Sequence, residues 1–280
     1  MSEKRLSPGA LLRKESKRQA RALMDEQGNR TSLVLMVCIW VATAGAIFLF
    51  CGALPYAADE SVFTDQPSAL AMALVLAAYA LMALLALVVL LPMGVSIVHA
   101  ACRISDGEAR VGVDAAFEAF GSFGRYVRFL SIGAYALLLP CLALLCLLIS
   151  FLCGSVAYSL VLEWSASNVW SVLVAIVAAA PAALVAPILL LAGKGTFVTV
   201  GLTLRGMTFR AARRLGRKEI RRARFSTLFY RLSFVGWLAL AVITVGATAV
   251  LDTIPYVLLC EQNVCKSLVL QEKLNEEINK

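Results

Sequence analysis

The sequence predicts an all-α, polytopic transmembrane helix bundle of about five spans, with amphipathic helices at its cytoplasmic interface. Three observations predict it. Hydrophobic residues make up 60% of the 280, well above the ~45–50% of soluble domains. They gather into runs at about 31–54, 69–98, 126–162, 170–204 and 232–259, each reaching the ~20 residues a helix needs to cross ~30 Å of hydrocarbon. The segments between the runs alternate in charge: eight Lys/Arg fall in 1–31, none in 55–68, four in 99–128, none in 163–169 and ten in 205–231, where Glu219 is the sole acid. Basic loops stay in the cytoplasm. A multi-pass cell-membrane protein is therefore expected, with the N-terminus, 99–128 and 205–231 inside. Five spans would leave the C-terminus extracytoplasmic.

Residues 1–30 form a basic cytoplasmic segment, 31–259 the transmembrane domain and 260–280 a tail. Ser7-Pro8 is a helix start. In the helix expected over 7–27, Leu12, Ala20, Leu23 and Met24 share one face, and Arg13, Lys14, Lys17, Arg18 and Arg21 crowd the other. Such a helix lies on an anionic leaflet. The first apolar run is too long, and its polar leader too extended, for a cleaved signal peptide, so it reads as a retained span. The second run carries Pro92 near its cytoplasmic end. Ser105-Asp-Gly-Glu108 has the spacing of a capping box. After it, Phe117, Phe120 and Phe123 recur every third residue with Asp114 and Glu118 turned away. That pattern suits an interfacial helix or one docking on protein.

Runs three and four are about 35 residues each and contain Pro140, Pro181 and Pro187. Both are expected as single long helices, tilted or kinked, because splitting one of them would carry the ten-cation loop outside. The fifth run ends near Pro255-Tyr256. Leu268, Leu270, Leu274 and Ile278 then suggest a short surface helix.

Ionisable groups inside spans mark function by default, and this chain has few. Counting along straight helices places Lys194 near the cytoplasmic interface and Asp252 near the outer one. No charged relay remains at the midplane, which argues against a proton-coupled pump. The single His, His99, excludes Ser/His/Asp, Cys/His and HExxH arrangements, so a non-enzymatic protein without metal or cofactor is expected. Residues 192–196 contain Gly-Lys-Gly but lack the spacing of a phosphate loop. Most of the eight Cys sit in apolar runs as small hydrophobes. Cys260 and Cys265 are the exception, and a short-loop disulfide is their alternative. The lipid-contact candidates are Arg213, Arg214, Arg217, Lys218, Arg221, Arg222 and Arg224, with Met207, Leu215, Ile220, Phe225, Leu228 and Phe229 partly inserted. A cluster between two spans with no DNA-binding fold gives no expectation of nucleic acid. A membrane-protein partner or a homo-oligomer is the other option.

The stretch 228–237, Leu-Phe-Tyr-Arg-Leu-Ser-Phe-Val-Gly-Trp, is followed by Thr244-Val-Gly246 and Ile254-Pro-Tyr256. It resembles a bacterial integral-membrane family known as domain of unknown function nine-seven-five, whose last helix carries an "LSFIGW…LTLGI…PY" pattern. Phe234, Gly236, Trp237, Pro255 and Tyr256 carry the resemblance. Phe117, Phe120 and Phe123-Gly-Arg125 are similar to its "FGR" segment. Lys194 sits where members have "PGIIK", but the Pro-Gly pair is absent here. The resemblance implies a multi-spanning plasma-membrane protein and brings no activity. The function expected is therefore contact with anionic lipid or protein at the cytoplasmic face. The alternative is a small transporter or channel for an uncharged or hydrophobic solute.

Overall fold

The computed structural model describes residues 8–26, 28–58, 69–108, 111–164, 176–177, 194–222 and 252–278. The chain divides into two compact units, one of Met1–Gly133, Gly201–Met207 and Phe225–Lys280, the other of Ala134–Val200 and Thr208–Arg224. Every described element is helical. In order they are α1 (Pro8–Asp25), α2 (Asn29–Ala58), α3 (Ala69–Leu85), a π-helical turn (Ala86–Leu90), α4 (Leu91–Asp106), a 3-10 helix (Val113–Gly121), α5 (Phe123–Trp164), α6 (Lys194–Leu204), α7 (Phe209–Arg222) and α8 (Ile254–Ile278). The first unit holds α1 to α4, the 3-10 helix, α8, and the parts of α5 and α6 inside its bounds. The second holds the rest of α5 and α6, with α7.

Among the described residues, two helical stretches are long and apolar enough to cross a membrane, Asn29–Pro55 and Ala69–Asp106. The 38 residues of the second extend about 57 Å at ~1.5 Å per residue, far more than ~30 Å of hydrocarbon requires. Burial shows how that length is used. Up to residue 88 large apolar side chains are exposed, among them Leu70, Met72, Leu76, Leu84, Leu87 and Val88. From Pro92 to Ser105 most side chains are buried in protein. An exposed, apolar stretch of helix thus continues into the packed end of the unit. There Leu33, Met36, Val37, Met93, Ile97, Ala100, Ile104, Ala116 and Leu259 form one core with Ala20 of α1.

The junction between the two halves is a local change of helix type. The Leu91 N–H bonds five residues back to the Ala86 carbonyl, and Pro92 has no N–H to give. The Val88 carbonyl, left without the N–H of Pro92, accepts from the Tyr126 hydroxyl at 3.0 Å, and Trp40 Nε1 donates to Leu90 O at 2.9 Å. A carbonyl left bare here would cost about 1–3 kcal/mol. Tyr126→Phe keeps the aromatic ring but removes the donor to Val88 O. It is therefore expected to destabilise the protein by about that amount when unfolding is followed in mild detergent. An unchanged midpoint would show that the bend needs no cap.

α5 runs unbroken for 42 residues through Pro140, so the third apolar run forms one helix; most of the fourth, 170–204, lies outside the described residues. Threefold spacing of phenylalanines becomes a 3-10 helix, in which residues i and i+3 eclipse. Phe117 and Phe120 stand exposed on it and Phe123 opens α5. The opposite side is buried through Ala115, Ala116 and Ala119.

Four sequence expectations are corrected. Ser105 to Glu108 do not start a helix. They end α4, with Gly107 in the left-handed region at φ 101°, a conformation that glycine adopts without a Cβ clash. The apolar side of α1 does not face lipid, because Ala20, Leu23 and Met24 pack into the core. Residues 254–259, counted in the fifth apolar run, open α8, which reaches Ile278 as one helix that packs on α1 and α4. Asp252 pairs with Arg30 at the start of α2, although counting along a straight span puts it at the far interface. Residues 252–278 therefore pack with the N-terminal helix in the first unit. Gly236, Trp237 and the rest of 223–251 lie outside the described residues.

Candidate functional site

Three chain segments meet where α4 ends. Arg205, just past α6, has a side chain only 7% exposed. Its Nε lies 3.2 Å from both carboxylate oxygens of Asp106. Its Nη1 donates to Gln262 Oε1 at 3.0 Å. Its Nη2 donates to Ser105 Oγ at 3.2 Å and to the Gln262 carbonyl at 2.9 Å. Around this guanidinium, Cys102 Sγ donates to Gln262 Oε1 at 2.9 Å and Ser105 Oγ donates to Asn263 Oδ1 at 2.8 Å. Lys266 Nζ reaches the Ser105 carbonyl at 2.7 Å, and Asn263 Nδ2 donates to the Ser16 carbonyl in α1 at 3.3 Å. Every nitrogen of the guanidinium has an acceptor inside the protein. This buried group serves as a clamp between helices and offers little to an outside anion.

Close approach makes the clamp fit. A Cβ added to Gly201 would stand 2.8 Å from Cys265 Sγ and 2.9 Å from Gln262 Oε1, so α6 can meet α8 only with glycine there. Burial pushes the Cys265 thiol well above its ordinary range, which keeps it protonated and inert. Cys260 and Cys265 are both buried and form no disulfide. Five residues along one helix separate them by about 7.5 Å of rise, beyond the reach of a disulfide.

A second charged group caps the same end of α4. His99 Nδ1 lies 3.0 Å from Glu118 Oε2 on the 3-10 helix, with the Phe129 ring edge-on to the imidazole. Arg103 and Arg125 each stand 3.6 Å from the Glu118 carboxylate. Arg103 also grips Glu108 through two hydrogen bonds of 2.6 and 2.5 Å, and these hold the Glu108 carboxyl below its ordinary range. Among the described residues no three His, Cys, Asp or Glu side chains converge as a metal site.

The predicted lipid-contact residues fall in the second unit. On α7, Ala212 and Leu215 are buried while Arg210, Arg213, Arg214 and Arg217 are exposed. The ring of Phe209 sits edge-on to Tyr135 of α5, 4.9 Å between centroids. Leu215, expected to insert into lipid, is thus used for packing within the protein, and the arginines are what α7 presents. Lys218, Arg221 and Arg222 continue the helix, and Arg224 lies outside the described residues. Lys194 is the first residue of α6. Of the motif residues, Phe234, Gly236 and Trp237 are outside the described residues. Pro255 is buried in the first turn of α8, a position that tolerates its missing N–H, and Tyr256 is half-buried. Sequence reasoning missed Arg205 as a buried group, together with Gln262 and Asn263. The signal available was the polar trio 261–263 inside an otherwise apolar helical stretch.

Comparison with family models, with curated proteins and with solved structures returned no match. The family resemblance therefore rests on the motif residues alone.

Proposed function

We propose that this is a multi-spanning membrane protein of the family it resembles, without catalytic activity, that works through contact with anionic lipid at its cytoplasmic face. The observation that carries this reading is α7, with Arg210, Arg213, Arg214 and Arg217 exposed and its apolar residues Ala212 and Leu215 already covered. Such a helix binds by charge rather than by insertion. The positive-inside bias favours α7 and both termini in the cytoplasm, with an even number of complete crossings between residues 30 and 252. A saturated Arg205 gives no support to chemistry at the clamp.

Each arginine near an anionic surface contributes about 1 kcal/mol. Changing all four to Gln should weaken binding of phosphatidylglycerol by about 4 kcal/mol, or ~10³-fold, when retained lipid is measured by native mass spectrometry on the full chain. Wild-type binding should fall steeply with salt. Retention that survives both the substitutions and the salt would end this reading.

One observation favours a second reading, the binding or passage of an uncharged or hydrophobic solute. A cavity of about 430 Å³ lies between α2 and α3, lined by Phe48, Leu49, Cys51, Val75, Tyr79 and Met82 among others. Solute flux into liposomes above the protein-free background would support it.

A further inference from the structure

The helical stretch Ala69–Asp106 changes character at one level. From Ala69 to Val88 it rises about 30 Å at ~1.5 Å per residue, the thickness of a ~30 Å hydrocarbon core, and exposes Leu70, Leu76, Leu84 and Leu87. From Val89 to Ser105 no residue is exposed. α2 changes in the same way. From Trp40 to Ala58 it rises about 28 Å and exposes Phe48, Leu49 and Phe50. From Asn29 to Ile39 it buries Leu33, Met36 and Val37, and Leu35 is the one large apolar side chain exposed there. The bond from Trp40 Nε1 to the Leu90 carbonyl sets the two changes at one level. Charge follows the same division. Residues 40–58 and 69–88 contain no Asp, Glu, Lys, Arg or His, while Arg30, His99, Arg103 and Asp106 lie on the other side of that level.

Three phenylalanine rings are tied to this level through Tyr126. Its hydroxyl reaches the Val88 carbonyl, and the Phe120 ring lies 5.8 Å from its ring. Phe123 precedes it by three residues on α5, nearly one turn. Phe117 shares a column with Phe120, because residues i and i+3 eclipse in a 3-10 helix. Ala115, Ala116 and Ala119 bury the other side of that helix, and Glu118 is held by His99, Arg103 and Arg125. Phe117, Phe120 and Phe123 are all exposed, Phe123 to 83%. Rings left in water forfeit the stabilisation that apolar surroundings give them.

We infer that the edge of the hydrocarbon core runs through the π-helical turn, and that Phe117, Phe120 and Phe123 form a surface that settles into the lipid headgroup layer beside it. This rests on the membrane-spanning reading above and adds a depth and a second lipid contact to it. With Trp40 and Tyr126 the rings make an aromatic belt, the arrangement that favours a membrane–water boundary. Their partner is the bilayer interface and not another protein. The contact is made by apolar area, so it does not weaken with salt as binding by the arginine face of α7 does. The packed ends of α2 and α4, with α1, the start of α8 and the Arg205 clamp, stand clear of the hydrocarbon.

The test is nitroxide labelling of single introduced cysteines in the full-length protein, reconstituted in liposomes of phosphatidylcholine and phosphatidylglycerol. The background carries Cys141→Ala and Cys153→Ala, which remove the exposed native thiols, and its residual signal is subtracted. Collisions are measured with oxygen, which concentrates in hydrocarbon, and with a hydrated nickel chelate, which is excluded from it. Lipid admits oxygen, water admits nickel, and a protein interface admits little of either. Leu76→Cys and Lys14→Cys, both at exposed positions, are the references for lipid and for water. At Phe123→Cys nickel collisions should be about 10-fold fewer than at Lys14→Cys, the ratio that ~1.4 kcal/mol of exclusion produces, with oxygen collisions between the two references. Salt should leave both values unchanged. Nickel access at residue 123 equal to that at residue 14 would overturn the inference, and so would poor access of both reagents, the sign of a covering protein. Nickel access at residue 76 would instead end the membrane-spanning reading itself.

Discussion

Arg205→Met should be among the more damaging single substitutions in this protein, costing about 1–3 kcal/mol, the cost of leaving buried acceptors without a donor. The methionine fills space but takes away the donors to the Gln262 carbonyl and to Ser105 Oγ, while Gln262 Oε1 keeps Cys102 and Asp106 turns to water. The control is Arg103→Met, which breaks a better-aligned but exposed pair with Glu108 and should cost no more than about 1 kcal/mol. Unfolding of both variants in mild detergent, followed by helical circular dichroism, measures the difference. Equal losses would mean that the Arg205 clamp is a surface ion pair in energetic terms.

The second large effect is one of side. A reporter that is active only in the cytoplasm, fused after residue 280, should report as strongly as the same reporter fused ahead of residue 1. The reason is geometric. Asn263 bonds Ser16 in α1, Lys266 bonds the end of α4, and Asp252 pairs with the first turn of α2. Hydrogen bonds cannot reach across a bilayer, so the proposed cytoplasmic C-terminus follows from these bonds taken together with the positive-inside bias of the eight cations of 1–31. A C-terminal fusion active only outside the membrane would refute the docking of α8.

Much of the helical frame is legible from the chain alone. Apolar runs announce α2 and the stretch from Ala69 to Asp106, because length and hydropathy are local properties. The phenylalanine spacing at 117, 120 and 123 carries its own period: the first two lie on a 3-10 helix, the third opens α5, and all three rings are exposed. The arginines of α7 are recognisable as an exposed face because charge resists burial. What fails are readings that need a partner. Ala20, Leu23 and Met24 announce an apolar side but not whether lipid or α8 covers it. Ser105-Asp-Gly-Glu108 fits a helix start and a helix stop equally well until the backbone of Gly107 is seen. Counting along an assumed straight span misplaces Asp252, since no local pattern reveals that its partner is Arg30. Arg205 reads as one cation among ten, because nothing in sequence distinguishes a buried guanidinium from a solvated one.

The bond between Ser16 and Asn263 has a consequence in time. The two residues are 247 positions apart. At about 5–20 residues per second of synthesis, the ribosome needs roughly 12–50 s to add that length of chain. Through that interval the apolar side of α1 exists without α8 to cover it, so Ala20, Leu23 and Met24 must wait for their partner helix before the core can close.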